Sequence, residues 1–426
     1  MLNFLKAKLN RLMSSTPLLA LDKVLLKDNL PLSDDEYRKV SDICDIFIAI
    51  SQSAGQAMIA PPKGGVFWDQ AKPTMGPFEI YNRKNRAEIN HLFLLFNAFR
   101  DFCALAYEYE AYTPKPDYWV RRYQQLTQVV DKRWHAALPA RFGEIGWCID
   151  GLPVNRWTSV NQDRINVLSM LGITAYLETL ASPRILEIGA GSGELAYTLC
   201  KALPSSSWYD IDLLGCLIYS VIQMSVNLPE RNHYIYVGDL PLPENLNQSF
   251  MIRSAHQASL CHNANVYIPH FLAEDFRNKL NIHFAYNTYS FGEMPKEAVE
   301  AYADLLSGFL LKEGVLYEQN GYFPERGGDN AENILAKQFN KVSLPKKLNG
   351  QWLPNGPTGF WDNNGLGDAV KNMVSSEHVS NMIDAFKEAT ASSDITYPNE
   401  LMWPKVYELI DAHQNVSLLY PWKTVA

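Results

Sequence analysis

Between Ile185 and Leu195 the chain reads ILEIGAGSGEL, which sets Glu187, Gly189, Gly191 and Gly193 at alternate positions. Glycines so spaced let the backbone turn sharply and let a ligand lie against it with no Cβ in the way. Nineteen residues after Gly193, the run SWYDIDL closes on Asp212 and Leu213. A carboxylate at that point accepts hydrogen bonds from both hydroxyls of an adenosine ribose, and Leu213 beside it joins the cofactor contacts. Glu187, beneath the glycine loop, balances a ligand ammonium. Three readings compete. A dinucleotide fingerprint needs a third glycine where this chain has Glu194, whose charge would face a pyrophosphate. A glycine-rich turn without a ligand leaves the spaced Asp212 unexplained. S-adenosylmethionine, with an adenosine, no phosphate and an amino-acid end, fits both features.

If such a cofactor passes its methyl to a hydroxyl, the acceptor must be held in line and its proton removed. In an open α/β sheet the carboxyl ends of the strands face the cofactor crevice. The run NIHFAYN opens into TYSFGEM, which makes Glu293 the first carboxylate past that strand and a candidate base. The competing role is a charge near the helix that starts at Pro295. His270, after NVYIP, is the rival base, with an ordinary pKa suited to proton transfer; a place beside adenine or in the core competes. Asp239, ending YIYVGD, is a candidate adenine contact, and either YIYVG or NVYIP serves as third strand. Asn287 and Ser290 at the fourth strand end, and Glu318 and Asn320 at the fifth, are candidate cofactor or substrate hydrogen-bonders. Trp68, Tyr81, Trp157, Trp352, Phe360 and Trp361 fall in loop-like stretches bordered by Gly and Pro and are candidate acceptor-pocket rings, with packing as the competing role. Arg83 suits an anionic group on the acceptor. NTYSFGEMP offers Glu293 with no paired Asp, and the nine histidines show no H-x-x-H or H-x-x-x-H spacing, so no catalytic metal is expected.

The elements that must position these residues follow from pattern. Ile89, Leu92, Phe93, Phe96, Phe99, Cys103 and Ala106 keep the spacing of a buried helix face, and Ile165, Leu168, Leu171 and Tyr176 mark another helix. Residues 60–77 and 142–157 read as loops rich in Gly, Pro and Trp. From residue 184, short apolar runs alternate with helical patterns, the rhythm of a parallel sheet covered on both faces. KVSLPKK and QWLPNGPTGFWDN read as late strands with Asn355-Gly356 as a turn, and the last stretch reads as helical. The expected organisation is α/β: a helical N-terminal domain over 1–180, a Rossmann-like cofactor domain over 181–361, and a helical C-terminal segment over 362–426.

The chain has 426 residues, 38 Lys plus Arg against 46 Asp plus Glu, and a formal charge of −8. That balance disfavours a whole-chain nucleic-acid binder, tRNA included. With 47% hydrophobic and 20% charged residues the chain is a folded globular one. The six cysteines are scattered, with no C-x-x-C pair, and read as reduced thiols of a cytoplasmic protein. Lys6, Lys8 and Arg11 interrupt every apolar run of the first residues, so no secretory signal is expected, and no later stretch is long enough for a membrane span. Leu2, Leu5, Leu9 and Leu12 share one helical face, read as packed on the protein itself rather than on a membrane.

On its glycine motif and spaced Asp212 the sequence resembles the class I S-adenosylmethionine-dependent methyltransferases over about residues 180–345. More narrowly, NTYSFGEMP (287–295), a helix containing Tyr302, and GVLYEQNG (314–321) resemble the sugar O-methyltransferase family, which has an N-x-x-S-F-x-E-M segment after its fourth strand and a long helical N-terminal extension. The resemblance implies a Rossmann-like methyltransferase sheet, S-adenosylmethionine as cofactor, and a hydroxyl of a sugar or glycosylated metabolite as acceptor. Two alternatives stand beside it: a methyltransferase fold kept for binding without catalysis, and methyl transfer to a small non-sugar acceptor.

Overall fold

The computed structural model describes residues 23–24, 29–55, 117–142, 144, 146–320, 331–344 and 358–391. Within them the strands are β1 Lys23–Val24, β2 Gly146–Ile149, β3 Leu152–Val154, β4 Arg184–Ile188, β5 Ser207–Asp212, β6 Asn232–Tyr236, β7 Met251–Ile252, β8 Ala264–Pro269, β9 Ile282–Thr288, β10 Leu310–Gln319, β11 Asn340–Lys341 and β12 Thr358–Asp362. The helices are α1 Asp34–Ala54, α2 Asp117–Thr127, α3 Arg156–Met170, α4 Ile173–Thr179, α5 Glu194–Ala202, α6 Leu214–Asn227, α7 Ala255–Ser259, α8 Lys296–Phe309, α9 Ala331–Leu335, α10 Leu366–Lys371 and α11 Ser376–Ala391.

Consecutive residues of the central strands are apolar because both faces are covered, as parallel sheets require. Ile185, Trp208, Phe284, Tyr286, Tyr317 and Phe360 belong to one core, shared with α1, α3, α4, α5 and α6. Their neighbours Leu186, Tyr209, Ala285, Leu316 and Trp361 belong to the other, shared with α8 and α9. The sheet order is β11-β12-β10-β9-β4-β5-β8-β6-β7. From β10 to β7 the neighbours pair in parallel, while β12 runs antiparallel to β10 and β11 antiparallel to β12. From β4 the chain moves outward through β5 to one edge, then restarts at β9 on the other side of β4. This reversal opens a crevice at the carboxyl ends of β4 and β9, where open α/β sheets bind ligands. It also settles the third strand: β8, the NVYIP run, lies beside β5, and β6, the YIYVG run, lies outside it.

Three differences from the sequence reading have physical causes. The 142–157 stretch contains a hairpin, β2 and β3, turned by Asp150-Gly151 with φ of 51° and 80°, as such a two-residue turn requires. The helix expected through Tyr176 breaks at Gly172, with φ of 77°, into α3 and α4. Phe360 and Trp361 lie on β12, within the stretch read as a late strand, but their rings are buried in opposite cores and do not line an acceptor pocket as expected. The Ile89–Ala106 helix, the Asn355-Gly356 turn, Arg83, Trp68, Tyr81 and Trp352 lie outside the described residues.

The preceding helices α1 and α2 pack against helices of the molecule, α1 on α6 and α2 on α3. α1 starts at a Ser33–Glu36 capping box, and Lys39 donates to the Ser225 carbonyl of α6 at 3.1 Å. α2 and α3 are tied by the buried Arg122–Asp163 pair, with Nε 2.9 Å from Oδ1. No helix among the described residues is long and apolar enough to cross a membrane.

Candidate functional site

The glycine loop connects β4 to α5, and all three of its glycines are left-handed: φ is 78° at Gly189, 59° at Gly191 and 75° at Gly193. Their surroundings differ. A Cβ on Gly189 would overlap the Ser290 hydroxyl and lie 2.7 Å from its Cβ. A Cβ on Gly193 would come 2.9 Å from Ser220 Oγ, but one on Gly191 meets no atom of the described residues within 4 Å. Gly191 is thus the point where the loop backbone is open to a ligand.

Asp212 ends β5 and fixes this loop. Its two carboxylate oxygens accept from the Gly191 amide at 2.8 Å and the Leu213 amide at 2.7 Å. Each oxygen keeps a lone pair for a further donor. Leu213 is half-buried and its carbonyl begins α6. Glu187 is 3% exposed and accepts from the Tyr286 hydroxyl at 2.6 Å. Burial pushes its carboxyl up to about 8, against the pull of the Tyr286 bond and the Arg164 charge. Asp210, paired in register with Glu187, is fully buried, and neither of its oxygens has a hydrogen-bond donor in ordinary geometry among the described residues. Burial, then repulsion from Asp212 and Glu187, holds its carboxyl well above the usual range. Burial also raises Asp212, to about 6. The carboxyl ends of β4 and β5 therefore present three buried acids whose carboxyls all lie above the ordinary range.

On the other side of β4, Asn287 and Ser290 pin the segment after β9. Asn287 Nδ2 donates to the Ile188 carbonyl at 2.8 Å and its Oδ1 accepts from Phe291 N at 3.2 Å. Ser290 donates to the same carbonyl at 3.2 Å. Glu293 ends the 3-10 turn Ser290–Glu293 just before α8. Glu318 and Asn320 stand at the end of β10; Asn320 donates to Glu318 at 2.8 Å and accepts from Gly292 N at 3.2 Å. Burial raises the Glu318 carboxyl to about 7. His270 is buried at the end of β8, where Pro269 is in register with Asp212. The two candidate bases follow strands on opposite sides of β4, His270 after β8 and Glu293 after β9. Asp239 is exposed in the turn after β6, with β8 between that strand and β5.

Helix α3 supplies a group of residues that the sequence reading missed apart from Trp157. Trp157, Asn161 and Arg164 recur at helical spacing on the face toward the crevice. Half-buried Trp157 meets the Tyr289 ring edge to face at 6.2 Å. Asn161 donates to Glu194 at 3.0 Å, and Arg164 donates to Asn161 at 2.9 Å and to Gln319 at 3.3 Å. The Arg164 guanidinium also lies 4.9 Å from the Tyr289 ring centroid. Tyr289 itself is held at φ 70°, a strained backbone for a residue with a Cβ. The available signal was three polar or aromatic residues at i, i+4 and i+7 on a helix otherwise read by its apolar face. Among the described residues no group of three or more His, Cys, Asp or Glu side chains is placed to hold a metal ion.

No protein-family model matches this chain, and no curated protein matches it. Solved structures do. Human methyltransferase-like protein 13 in complex with SAH is similar at 10% identity over 57% of this chain and 98% of that one, with a TM-score of 0.30. The methyltransferase domain of a bacterial Hen1 is similar at 12% over 48% and 99%, with a TM-score of 0.27. Phosphoethanolamine N-methyltransferase 2 of Haemonchus contortus, in complex with S-adenosyl-L-methionine, is similar at 11% over 57% and 48%, with a TM-score of 0.26. By strand order, glycine loop and flanking helices, the fold is a Rossmann-like sheet with helices before and after it, the architecture expected of a class I methyltransferase.

Proposed function

We propose that this protein is an S-adenosylmethionine-dependent O-methyltransferase acting on a hydroxyl of a sugar or glycosylated metabolite. The observation that carries the cofactor half is electrostatic. Glu187, Asp210, Asp212 and Glu194 are all buried around an open left-handed glycine loop. Crowding buried carboxyl groups together is costly, and a pyrophosphate would add to the repulsion. A ligand with an ammonium, a sulfonium and an uncharged adenosine relieves it.

The residues present fit that ligand. Gly191 leaves room against the backbone, Asp212 has lone pairs for ribose hydroxyls, and Glu187 has a proton to give up in favour of an ammonium. Bound S-adenosylmethionine supplies a methyl on a sulfonium. The protein orients the acceptor and takes its proton. Glu293, at the end of the turn after β9, is the proposed base, with His270 the second candidate. Glu318 and Asn320 at β10, Asn287 and Ser290 at β9, and Trp157 from α3 border the acceptor side, and Arg83 is the proposed partner for an anionic group on the acceptor.

Calorimetry with S-adenosylhomocysteine and with NADH tests the cofactor half: micromolar-scale binding of the first and none of the second is expected, and the reverse sinks it. Transfer of label from methyl-tritiated S-adenosylmethionine across a panel of deoxysugars and nucleotide sugars tests the acceptor half. Label on non-sugar acceptors alone would overturn it.

A further inference from the structure

Arg164 is 5% exposed and Gln319 is fully buried, and they meet where α3 crosses the end of β10. Arg164 Nε donates to Gln319 Oε1 at 3.3 Å and Nη1 to Asn161 Oδ1 at 2.9 Å. An arginine can only donate, so the Gln319 amide must turn its oxygen toward Nε, which fixes its nitrogen beyond. Two buried donors remain: Arg164 Nη2 and Gln319 Nε2 have no hydrogen-bond acceptor among the described residues. Nη2 shares the Nε edge of the guanidinium, so it flanks the same amide. An unpaired buried donor costs about 1–3 kcal/mol, more when charged. A fold that holds two side by side is arranged for an acceptor with two oxygens.

The surroundings say which end of a ligand goes there. Asn161 links Arg164 to Glu194, the first residue of α5, directly after the glycine loop. The strained Tyr289 lays its ring against the guanidinium, and its amide donates to the Gln319 carbonyl at 2.8 Å. The Arg164 charge also bears on Glu187. A cation and an acid so related, on either flank of one loop, match a zwitterion.

We propose that Arg164 Nη2 and Gln319 Nε2 bind the carboxylate of the cofactor's amino-acid end, with Glu187 facing its ammonium. The assignment rests on the S-adenosylmethionine reading above and adds to it a subsite contributed by the helix preceding the sheet. No bond is made or broken in it. An arginine–carboxylate pair in a dry site is strong and directional.

The test compares S-adenosylmethionine with its decarboxylated form, which keeps the sulfonium and ammonium and lacks the carboxylate. Calorimetry on the full chain should show the wild type preferring S-adenosylmethionine by about 10–100-fold, the scale of charge-assisted hydrogen bonds. Arg164→Gln should reduce that preference to within a few-fold by weakening S-adenosylmethionine alone. Gln319→Glu, which keeps the size and offers Arg164 a carboxylate from the chain itself, should do the same. Because each variant is read as a ratio of two ligands on one protein, a general loss of fold does not imitate the result. A preference that survives both variants, or a loss shared equally by both ligands, overturns the subsite while leaving the cofactor reading intact. Failure of the wild type to bind either ligand overturns both.

Discussion

Gly189 and Gly191 share a left-handed backbone, yet their environments assign them different work. At Gly189 any side chain strikes Ser290, itself bonded to the Ile188 carbonyl, so this glycine lets the segment after β9 close on the loop. At Gly191 the space is open. Gly189→Ala should therefore lower the melting temperature strongly, from overlap added to backbone strain. Gly191→Ala should cost about 1–2 kcal/mol of stability, the strain alone, and weaken S-adenosylhomocysteine by about tenfold or more in calorimetry because its Cβ enters the ligand's place. Equal effects of the two on binding would mean the ligand does not lie against Gly191. The two candidate bases separate in a similar way. Glu293 follows β9 and His270 follows β8 beside Asp212. Glu293→Gln should reduce methyl-transfer turnover about 10²–10⁴-fold with cofactor affinity nearly intact. His270→Gln should change cofactor affinity and leave turnover at saturating cofactor within a few-fold. The opposite pattern would make His270 the base.

Helix α3 shows what an element can do that its residues cannot do singly. It begins at Asn155, whose Oδ1 accepts from Thr158 N at 3.1 Å while Thr158 Oγ1 accepts from Asn155 N at 3.3 Å. The buried Arg122–Asp163 pair then ties it to α2. Its orientation sets where Trp157, Asn161 and Arg164 point. Asn155→Ala should cost about 1 kcal/mol in denaturant unfolding. It should also weaken S-adenosylhomocysteine several-fold through Arg164, although Asn155 is not one of the proposed ligand-binding residues; unchanged affinity with reduced stability would show that the cap serves the fold alone. The same helix marks the limit of the sequence reading. The strands β4, β5, β6, β8, β9 and β10 were legible because burial on both faces writes them as apolar runs between helical patterns, while the two-residue β7 is too short to show one. The Glu187–Gly193 loop and Asp212 were legible because a tight turn and a close approach restrict residue type. Arg164 and Gln319 were not, because a polar residue on a buried helix or strand declares itself only when the partner element is in place. The β2–β3 hairpin was read as a loop because its Gly and Pro outweighed its short apolar stretches, and the two-strand ambiguity arose because β6 and β8 carry equally good patterns and differ only in who pairs with β5.

Across the whole molecule, the buried acids make the site a local conflict between stability and function, since their desolvation opposes folding until a cation arrives. Glu187 is the clearest case. Its carboxyl lies near about 8 in the folded protein, raised by burial from an ordinary value of 4.5. Below the unfolded value both states hold the proton and the folded state keeps its full advantage. Between 4.5 and about 8 the unfolded chain releases the proton while the folded chain retains it, so stability declines as pH rises through this window. Glu187→Gln keeps the size and an oxygen for the Tyr286 hydroxyl but has no proton to lose. Without ligand, the variant should melt higher than the wild type at pH 8, and the gap should shrink toward zero near pH 4.5. Ligand binding should run the other way. An ammonium favours the ionised carboxylate, so wild-type affinity for S-adenosylhomocysteine should rise with pH toward 8, with proton release visible as a dependence of the calorimetric heat on buffer ionisation enthalpy. The variant should bind more weakly and release up to about one proton fewer. A variant that is less stable than the wild type at pH 8 would show that Glu187 is ionised and paired in the folded protein before any ligand binds, and the account of the site as a set of acids waiting for a cation would fall with it.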